Sequence, residues 1–494
     1  MNGDPMLKTH IPFSIARKRI IESIVQNGVN TLYAPVIADR IVSKIPYHYR
    51  FFRIEDEEKL IRNVYIKSQE ILLSSRLNFK NNFQIMLFLL LMIARLVSHK
   101  SSKKAPRRNL TFTFGLPQIN LSMPLNQFHK FLNQKRFKHL LEGRLVVIEN
   151  RKKSPFKDSR FKNTIQTFDI YLYMYKGLPT YRAKLQILCL SIRRLLIILT
   201  SKNSSYNLIA IEYVIQEPIW IVARNFYGQV ETIATQSNFF KLPMIFYHAE
   251  CCGIKTNMFW YSANSIPLPL KDSKMAFDTS YLIQNYVKKH FVWNGISASL
   301  VRRYNSDCDI EICGSILFYT RTQQVSNRTR SNKINVVVFD VTPFSNLQTP
   351  VLYTDKMVTR FLKDISELLI HNKKSFDINL LFKNKRVVVN NLFKKSAYPI
   401  GEKYSAMLDE MKKMDEIDFL KSSLNLYDSI GECDLVLGLP FTSPVFIGQE
   451  LGVPSAFYIP EINTDFKVPK LVSEVEVLMG KKQLQRFFSE HIYN

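Results

Sequence analysis

A series of short apolar runs, each closed by a turn and followed by a helix-like stretch, constrains this chain more than any other feature. In the second half the runs lie in KINVVVFDVTPFSN, INLLFKNKR, CDLVLGLP and PSAFYI. Runs this short and this continuously apolar suit strands buried on both faces, as in a parallel sheet. The stretches between them carry helical signals. TDKMVTRFLKDISELLIHN has an i, i+4 apolar stripe and Thr354 in position to cap it. SPVFIGQELG opens beside Pro444 and stops at Gly452. Upstream, YNLIAIEYV, QEPIWIVARNFY, QVETIATQSNFF and HFVWNGISASLVRRYN repeat the texture, with Pro218 near the first turn of a helix. Strand, helix, strand in this order specifies an α/β fold with helices packed on a parallel sheet.

The chain has 494 residues, more than one typical core accommodates, so two domains are expected. We place an N-terminal domain over residues 1–305, with a helical, basic insertion around 81–205. A C-terminal α/β domain follows over 306–466, and the tail over 467–494 reads as helix. Most of the first ~200 residues, a domain-scale length, read as helix. SHKSSKKAPRRNLTFTFGLPQINLSMP reads as a basic, Ser- and Pro-rich loop.

The 68 Lys and Arg outweigh the 41 Asp and Glu, a net charge of +27 that favours anionic partners. Residues 81–140 hold ten Lys and Arg and no acid, beside the apolar run Ile85–Ala94, which suits docking on an anionic membrane surface. That run is too short to span a bilayer, which needs ~20 residues. The N-terminal stretch MNGDPMLKTHIPFSIARKRI lacks the apolar core of a secretory signal. A cytoplasmic protein, peripheral on the inner face of the membrane, is the expected setting. The six cysteines show no zinc spacing and read as reduced thiols.

In open α/β sheets ligands sit beyond the carboxyl ends of the strands. Three strand-end loops of the second half fit that place. In Phe441-Thr442-Ser443-Pro444 two hydroxyls stand at a helix start, where exposed N–H groups favour phosphate. The competing reading is a helix cap without a ligand. FKNKR supplies Lys383, Lys385 and Arg386, point charges and a forked donor suited to a diphosphate. Asp340-Val-Thr-Pro-Phe-Ser345 adds Thr342 and Ser345. In the first half, His248 and Glu250 are candidates for a general base on a sugar hydroxyl. Nearby Trp260, Tyr261, Ser262 and Asn264 suit a sugar- or base-stacking cleft, against the alternative of a packed core. Asp307 and Asp309 form a weak D-x-D spacing, and no metal site is expected from it.

Together, WYSANSIP, VVVFDVTPFS and SIGECDLVLGLPFTSPVFIGQELGVPSAFY resemble bacterial surface-polysaccharide biosynthesis proteins, glycosyltransferases of the GT-B type, over roughly residues 206–465. The resemblance implies two Rossmann-like domains facing across a cleft, the C-terminal one over 306–466 holding a nucleotide-sugar donor, and a tail helix over 467–494 packing back on the first domain. It implies donor-phosphate contacts from Lys383, Lys385, Arg386, Thr442 and Ser443, and a ribose or sugar contact from Glu450. His248 or Glu250 would act on a glycan or lipid-linked acceptor. No cofactor and no metal are implied. The alternatives are a sugar-nucleotide epimerase or hydrolase of the same fold, or a basic nucleic-acid-binding protein. The scattered cations and missing nucleic-acid signatures speak against the latter.

Overall fold

The computed structural model describes the elements named below and near-continuous stretches over 287–314, 333–343, 353–383, 401–460 and 467–492, with shorter segments before them. Seven strands of the first half form one sheet: β1 (Leu110–Phe114), β2 (Arg144–Glu149), β3 (Thr164–Gln166), β4 (Val230–Thr235), β5 (Lys255–Phe259), β6 (Lys289–Val292) and β7 (Asp309–Ile312). Their spatial order is β3-β2-β1-β4-β5-β6-β7, and every pair is parallel. This is the doubly wound order, extended by one strand, with its reversal between β1 and β4. Helix α1 (Tyr181–Thr200) lies between β3 and β4 in the chain, and α2 (Gly295–Tyr304) joins β6 to β7. Asn294 caps α2, its side-chain oxygen accepting from Ser297 N at 2.9 Å.

The second sheet comprises β8 (Ile334–Phe339), β9 (Ile378–Lys383), β10 (Ile417–Phe419), β11 (Leu435–Gly438), β12 (Ser455–Ile459), β13 (Leu471–Val472) and β14 (Val475–Met479). Its order is β10-β9-β8-β11-β12-β14-β13. Only the β13–β14 pair is antiparallel. The helices are α3 (Asp355–Lys373), α4 (Glu402–Met411), α5 (Leu426–Gly431), α6 (Ser443–Glu450) and α7 (Lys481–Ile492).

Strand alternation divides the second sheet's side chains between two cores. Val336, Val338, Leu380, Phe382, Leu435 and Leu437 pack with α3, α4 and α7. Val337, Phe339, Val436 and Phe457 pack with Tyr427 and Ile430 of α5 and with Val445, Phe446 and Ile447 of α6. Both faces are covered, which is why these strands read as mostly apolar runs. Trp293, just past β6, joins the second of these cores.

Three expectations change. LTFTF, read as part of a loop, is the interior strand β1, and β2 and β3 also lie in the region read as a helical insertion. The period-two alternation of β1 is short and flanked by basic, Ser- and Pro-rich sequence. β7 belongs to the first sheet and β8 opens the second, so the passage between sheets falls after Ile312 rather than at 305. The described residues of the tail over 467–494 form a hairpin followed by a helix, and that helix packs on the second sheet. Leu484, Phe487 and Phe488 of α7 are buried in the second sheet's own core. Lys481 Nζ lies 3.3 Å from Asp364 and 2.7 Å from Glu367 of α3.

Candidate functional site

The second sheet reverses its strand order between β8 and β11, and the segment Pro440-Phe441-Thr442-Ser443 leaves β11 at that point. A doubly wound sheet opens a crevice at such a reversal, beyond the carboxyl ends of its strands. Thr442 is the N-cap residue of α6 by backbone (φ −79°, ψ 140°), yet its side chain makes no capping bond. Its hydroxyl is buried and has no hydrogen-bond partner among the described residues, with the residue 3 % exposed. The neighbouring N-cap residue Thr354 behaves differently: its hydroxyl accepts from Met357 N at 3.2 Å. A buried hydroxyl left without a partner is costly unless a ligand completes it.

Gly438 makes room for this arrangement. A Cβ there would stand 2.6 Å from Thr442 Oγ1 and 2.7 Å from Val445 Cγ2, closer than real contacts allow. The hydroxyl therefore rests on the bare backbone at the end of β11.

The turn is held from across the sequence by Tyr353, just ahead of α3. Its hydroxyl donates to Pro440 O at 2.6 Å and accepts from Phe441 N at 3.1 Å, gripping both ends of one peptide. The next two residues also cap helices. Thr354 caps α3, and the Asp355 carboxylate accepts from Lys403 N at 3.1 Å and Tyr404 N at 2.8 Å at the start of α4. Any Cβ on Gly401 would collide with that carboxylate. Tyr404 in turn hydrogen-bonds the buried Asp340 at the end of β8. One tripeptide thus ties the ends of β8 and β11 to two helix starts.

Lys383 ends β9 in register with Phe339 of β8, which is in register with Gly438 of β11. The three form a row on one face, so Lys383 and Gly438 are roughly 10 Å apart by strand spacing. Lys383 is 5 % exposed, and burial pulls its ammonium down to about 8 from 10.5. A phosphate beside it would favour the charged form. Glu450 closes α6, seven residues from Ser443 and hence about 10 Å along the axis. Its carboxylate accepts from Tyr427 OH at 2.7 Å.

The structure thus gathers Thr442, Ser443 and Lys383 at one end of the second sheet. Trp260 is not a cleft residue. It is 2 % exposed, and its indole N–H donates to His290 Nδ1 at 3.2 Å. His290 Nε2 faces Val287 O at 3.1 Å, and burial holds that imidazole down at about 4, so it is neutral near pH 7. His248, Glu250, Tyr261, Ser262, Asn264, Thr342, Ser345, Lys385 and Arg386 lie outside the described residues. Tyr353 and Gly438 escaped the sequence reading. Gly438, two residues before the Pro-Phe-Thr-Ser turn, could have been suspected from the missing side chain at a strand end.

Fold and site define a doubly wound α/β protein, two sheets in one chain, whose distinctive turn stands at the second sheet's reversal point. The chain belongs to the polysaccharide biosynthesis PFTS motif family, whose profile matches residues 201–488. Pro440-Phe441-Thr442-Ser443 spells that motif. No curated protein matches the chain. Among solved structures it is similar to the wall teichoic acid polymerase TagF, with 10% identity, a TM-score of 0.41, and coverage of 85% of this chain and 89% of that one. A glycosyltransferase from Rickettsia africae matches at 10% identity and TM-score 0.37, covering 78% of this chain and 89% of that one. An α,α-trehalose-phosphate synthase from Burkholderia xenovorans matches at 9% identity and TM-score 0.38, covering 78% and 91%.

Proposed function

We propose that this chain is a glycosyltransferase, moving a sugar from a nucleotide-sugar donor to a surface-polysaccharide or lipid-linked glycan acceptor. The observation that carries the reading is the buried Thr442 hydroxyl at the start of α6, without a hydrogen-bond partner among the described residues and set at the strand-order reversal of the second sheet. Family membership in polysaccharide biosynthesis supports the same class of chemistry.

The donor diphosphate would lie across the ends of β8, β9 and β11. Thr442 and Ser443 would donate hydroxyls, the first N–H groups of α6 would face the anion, and Lys383 would supply a charge. The bond from sugar to phosphate breaks as the acceptor oxygen attacks the anomeric carbon. Negative charge then grows on the departing nucleotide phosphate. Fixed donors and a lysine stabilise that growing charge more than they stabilise the bound donor, which lowers the barrier. This arrangement calls on no metal. Lys385 and Arg386 would extend the cationic set, and Glu450, steadied by Tyr427, is the candidate for a ribose or sugar hydroxyl. His248 and Glu250 remain the candidates for the base that takes the acceptor proton, from a first domain facing the second across a cleft.

The test is titration of the purified chain with UDP-, CMP- and GDP-sugars, read as thermal stabilisation. A nucleotide at 100 times its dissociation constant adds about 2.7 kcal/mol to the folded state. Stabilisation by one nucleotide class, followed by sugar transfer to a glycan acceptor, is the expected result. No stabilisation by any nucleotide sinks the reading, and binding with epimerised or hydrolysed product replaces transfer with the alternative chemistry.

A further inference from the structure

Helix α1 carries two apolar faces, and one of them faces solvent. Ala183, Ile187, Leu188 and Ser191 are buried, and Lys184 is buried with them, its Nζ 5.9 Å from the centre of the Tyr175 ring. Arg194 pairs with the buried Glu217 on the same side. Thr180 caps the helix, accepting from Ala183 N at 3.2 Å. These contacts fix the helix and its rotation.

On the opposite side, Tyr181 is 51 %, Leu185 40 %, Ile192 39 % and Leu196 56 % exposed, and Cys189 is exposed among them. At 100° per residue these five positions fall within about 80° of arc, a single stripe along the helix. Exposed Arg182 and Arg193 project just beyond one edge of that arc. A lone exposed leucine needs no explanation, but a stripe of five on one fixed helix does.

We infer that this stripe is a docking face for an anionic lipid bilayer, on which α1 lies in the plane of the interface. The sequence of α1, YRAKLQILCLSIRRLLIILT, holds no acid, and of its four cations Lys184 and Arg194 face the protein while Arg182 and Arg193 flank the stripe. That charge complements an anionic headgroup layer and opposes a second copy, which would set Arg182 and Arg193 against like charge with no acid on α1 to pair them. The helix rests on the surface rather than crossing it. Among the described residues no helix is long and apolar enough to span a membrane. Leu90 and Ile93, helical and 56 % and 41 % exposed, are further apolar side chains open to solvent in the N-terminal part of the chain. Docking through α1 is separate from the proposed transfer reaction and stands or falls without it.

The experiment is flotation of the full chain with vesicles of phosphatidylcholine alone and of equal parts phosphatidylcholine and phosphatidylglycerol. The chain floats with the anionic vesicles, and added salt weakens the association as it screens the arginines. The double variant Leu185→Glu/Ile192→Glu, whose sites are solvent-facing, keeps its melting temperature and loses binding by at least about tenfold. Arg182→Ala/Arg193→Ala binds more weakly and with less salt dependence. Alkylation of Cys189, located by mass spectrometry against Cys189→Ser, slows when anionic vesicles are added. Equal flotation of the wild type and Leu185→Glu/Ile192→Glu overturns the inference, as does Cys189 alkylation indifferent to vesicles. A wild-type dimer that this variant converts to a monomer, with lipid binding unchanged, assigns the face to a protein partner instead.

Discussion

The two sheets share the order of their first five strands, reversal included, yet keep their buried polar side chains in different places. In the first sheet these lie within strands and answer local groups. Asn257 Nδ2 donates to Glu231 at 3.5 Å, Thr256 accepts from Lys288 N at 2.9 Å, and His290 links Trp260 to the Val287 carbonyl. In the second sheet the half-buried Asn335–Asn379 pair lies near the strands' amino ends, and the fully buried polar groups of the layer stand at or just past strand carboxyl ends: Asp340, Lys383 and Thr442. Polar groups inside strands knit a layer together. Polar groups gathered at strand ends, one of them without a partner among the described residues, are what a ligand completes.

The largest test of the comparison concerns the layer that makes the second sheet self-contained. Phe488 of α7 is 1 % exposed in the core beneath β8 and β9. Phe488→Ala removes that ring and leaves a cavity, and it is expected to cost about 3–5 kcal/mol in chemical unfolding. A loss under about 1 kcal/mol would mean α7 is peripheral to this core and would reopen its packing on the first domain.

Next in size is Thr442→Val, which keeps the shape and removes the hydroxyl. A buried hydroxyl without a partner costs about 1–3 kcal/mol, so the free protein should gain stability. Nucleotide binding loses a hydrogen bond to a charged group, about 1.5–3 kcal/mol, hence roughly ten- to a hundredfold in affinity. Melting temperature and affinity then move in opposite directions. A hydroxyl that merely caps α6 would lower stability on removal and leave affinity unchanged. The smaller companion is Tyr353→Phe, which leaves the Pro440–Phe441 peptide without its clamp. Donor affinity should fall about five- to tenfold, with a stability loss near 1 kcal/mol, as for one or two ordinary hydrogen bonds. Equal affinity in calorimetric titration would remove Tyr353 from the positioning of the turn.

The same contrast explains what the sequence could reveal. The second sheet was legible because its strands are buried on both faces, so VVVF of INVVVF, LLF of INLLFK and LVL of LVLG read as continuous apolar cores. The first sheet was half hidden. LTFTF alternates Phe with Thr inside a basic context, and Thr111 is itself buried. The tail misled because Leu471, Val475 and Leu478 fall at helical spacing, while Glu474 at φ 69° and Gly480 at φ 75° reverse the chain around the short strand VEVLM. The Pro-Phe-Thr-Ser turn was visible because its chemistry is local. Tyr353 was not, because it meets the turn from 87 residues away and only the folded sheet joins them.

The finest test uses Lys383, whose charge the sequence reading took for granted. Its ammonium titrates at about 8 in the free protein against 10.5 unfolded, because burial disfavours the charged form. Between those values the unfolded chain binds more protons than the folded one, so stability rises with pH across that window. Donor binding carries the opposite sign. A diphosphate beside Lys383 favours the ammonium, so binding above pH ~8 requires proton uptake and affinity falls, by up to about tenfold per pH unit. Below pH 8 the lysine is already charged and this contribution is flat. Lys383→Met should bind more weakly at neutral pH and lose the decline above it. Titrations from pH 6.5 to 9.5 separate the outcomes. An identical decline in Lys383→Met would place the titrating group elsewhere, and a wild type with no decline would remove Lys383 from the phosphate contacts and leave the charge to Lys385 and Arg386.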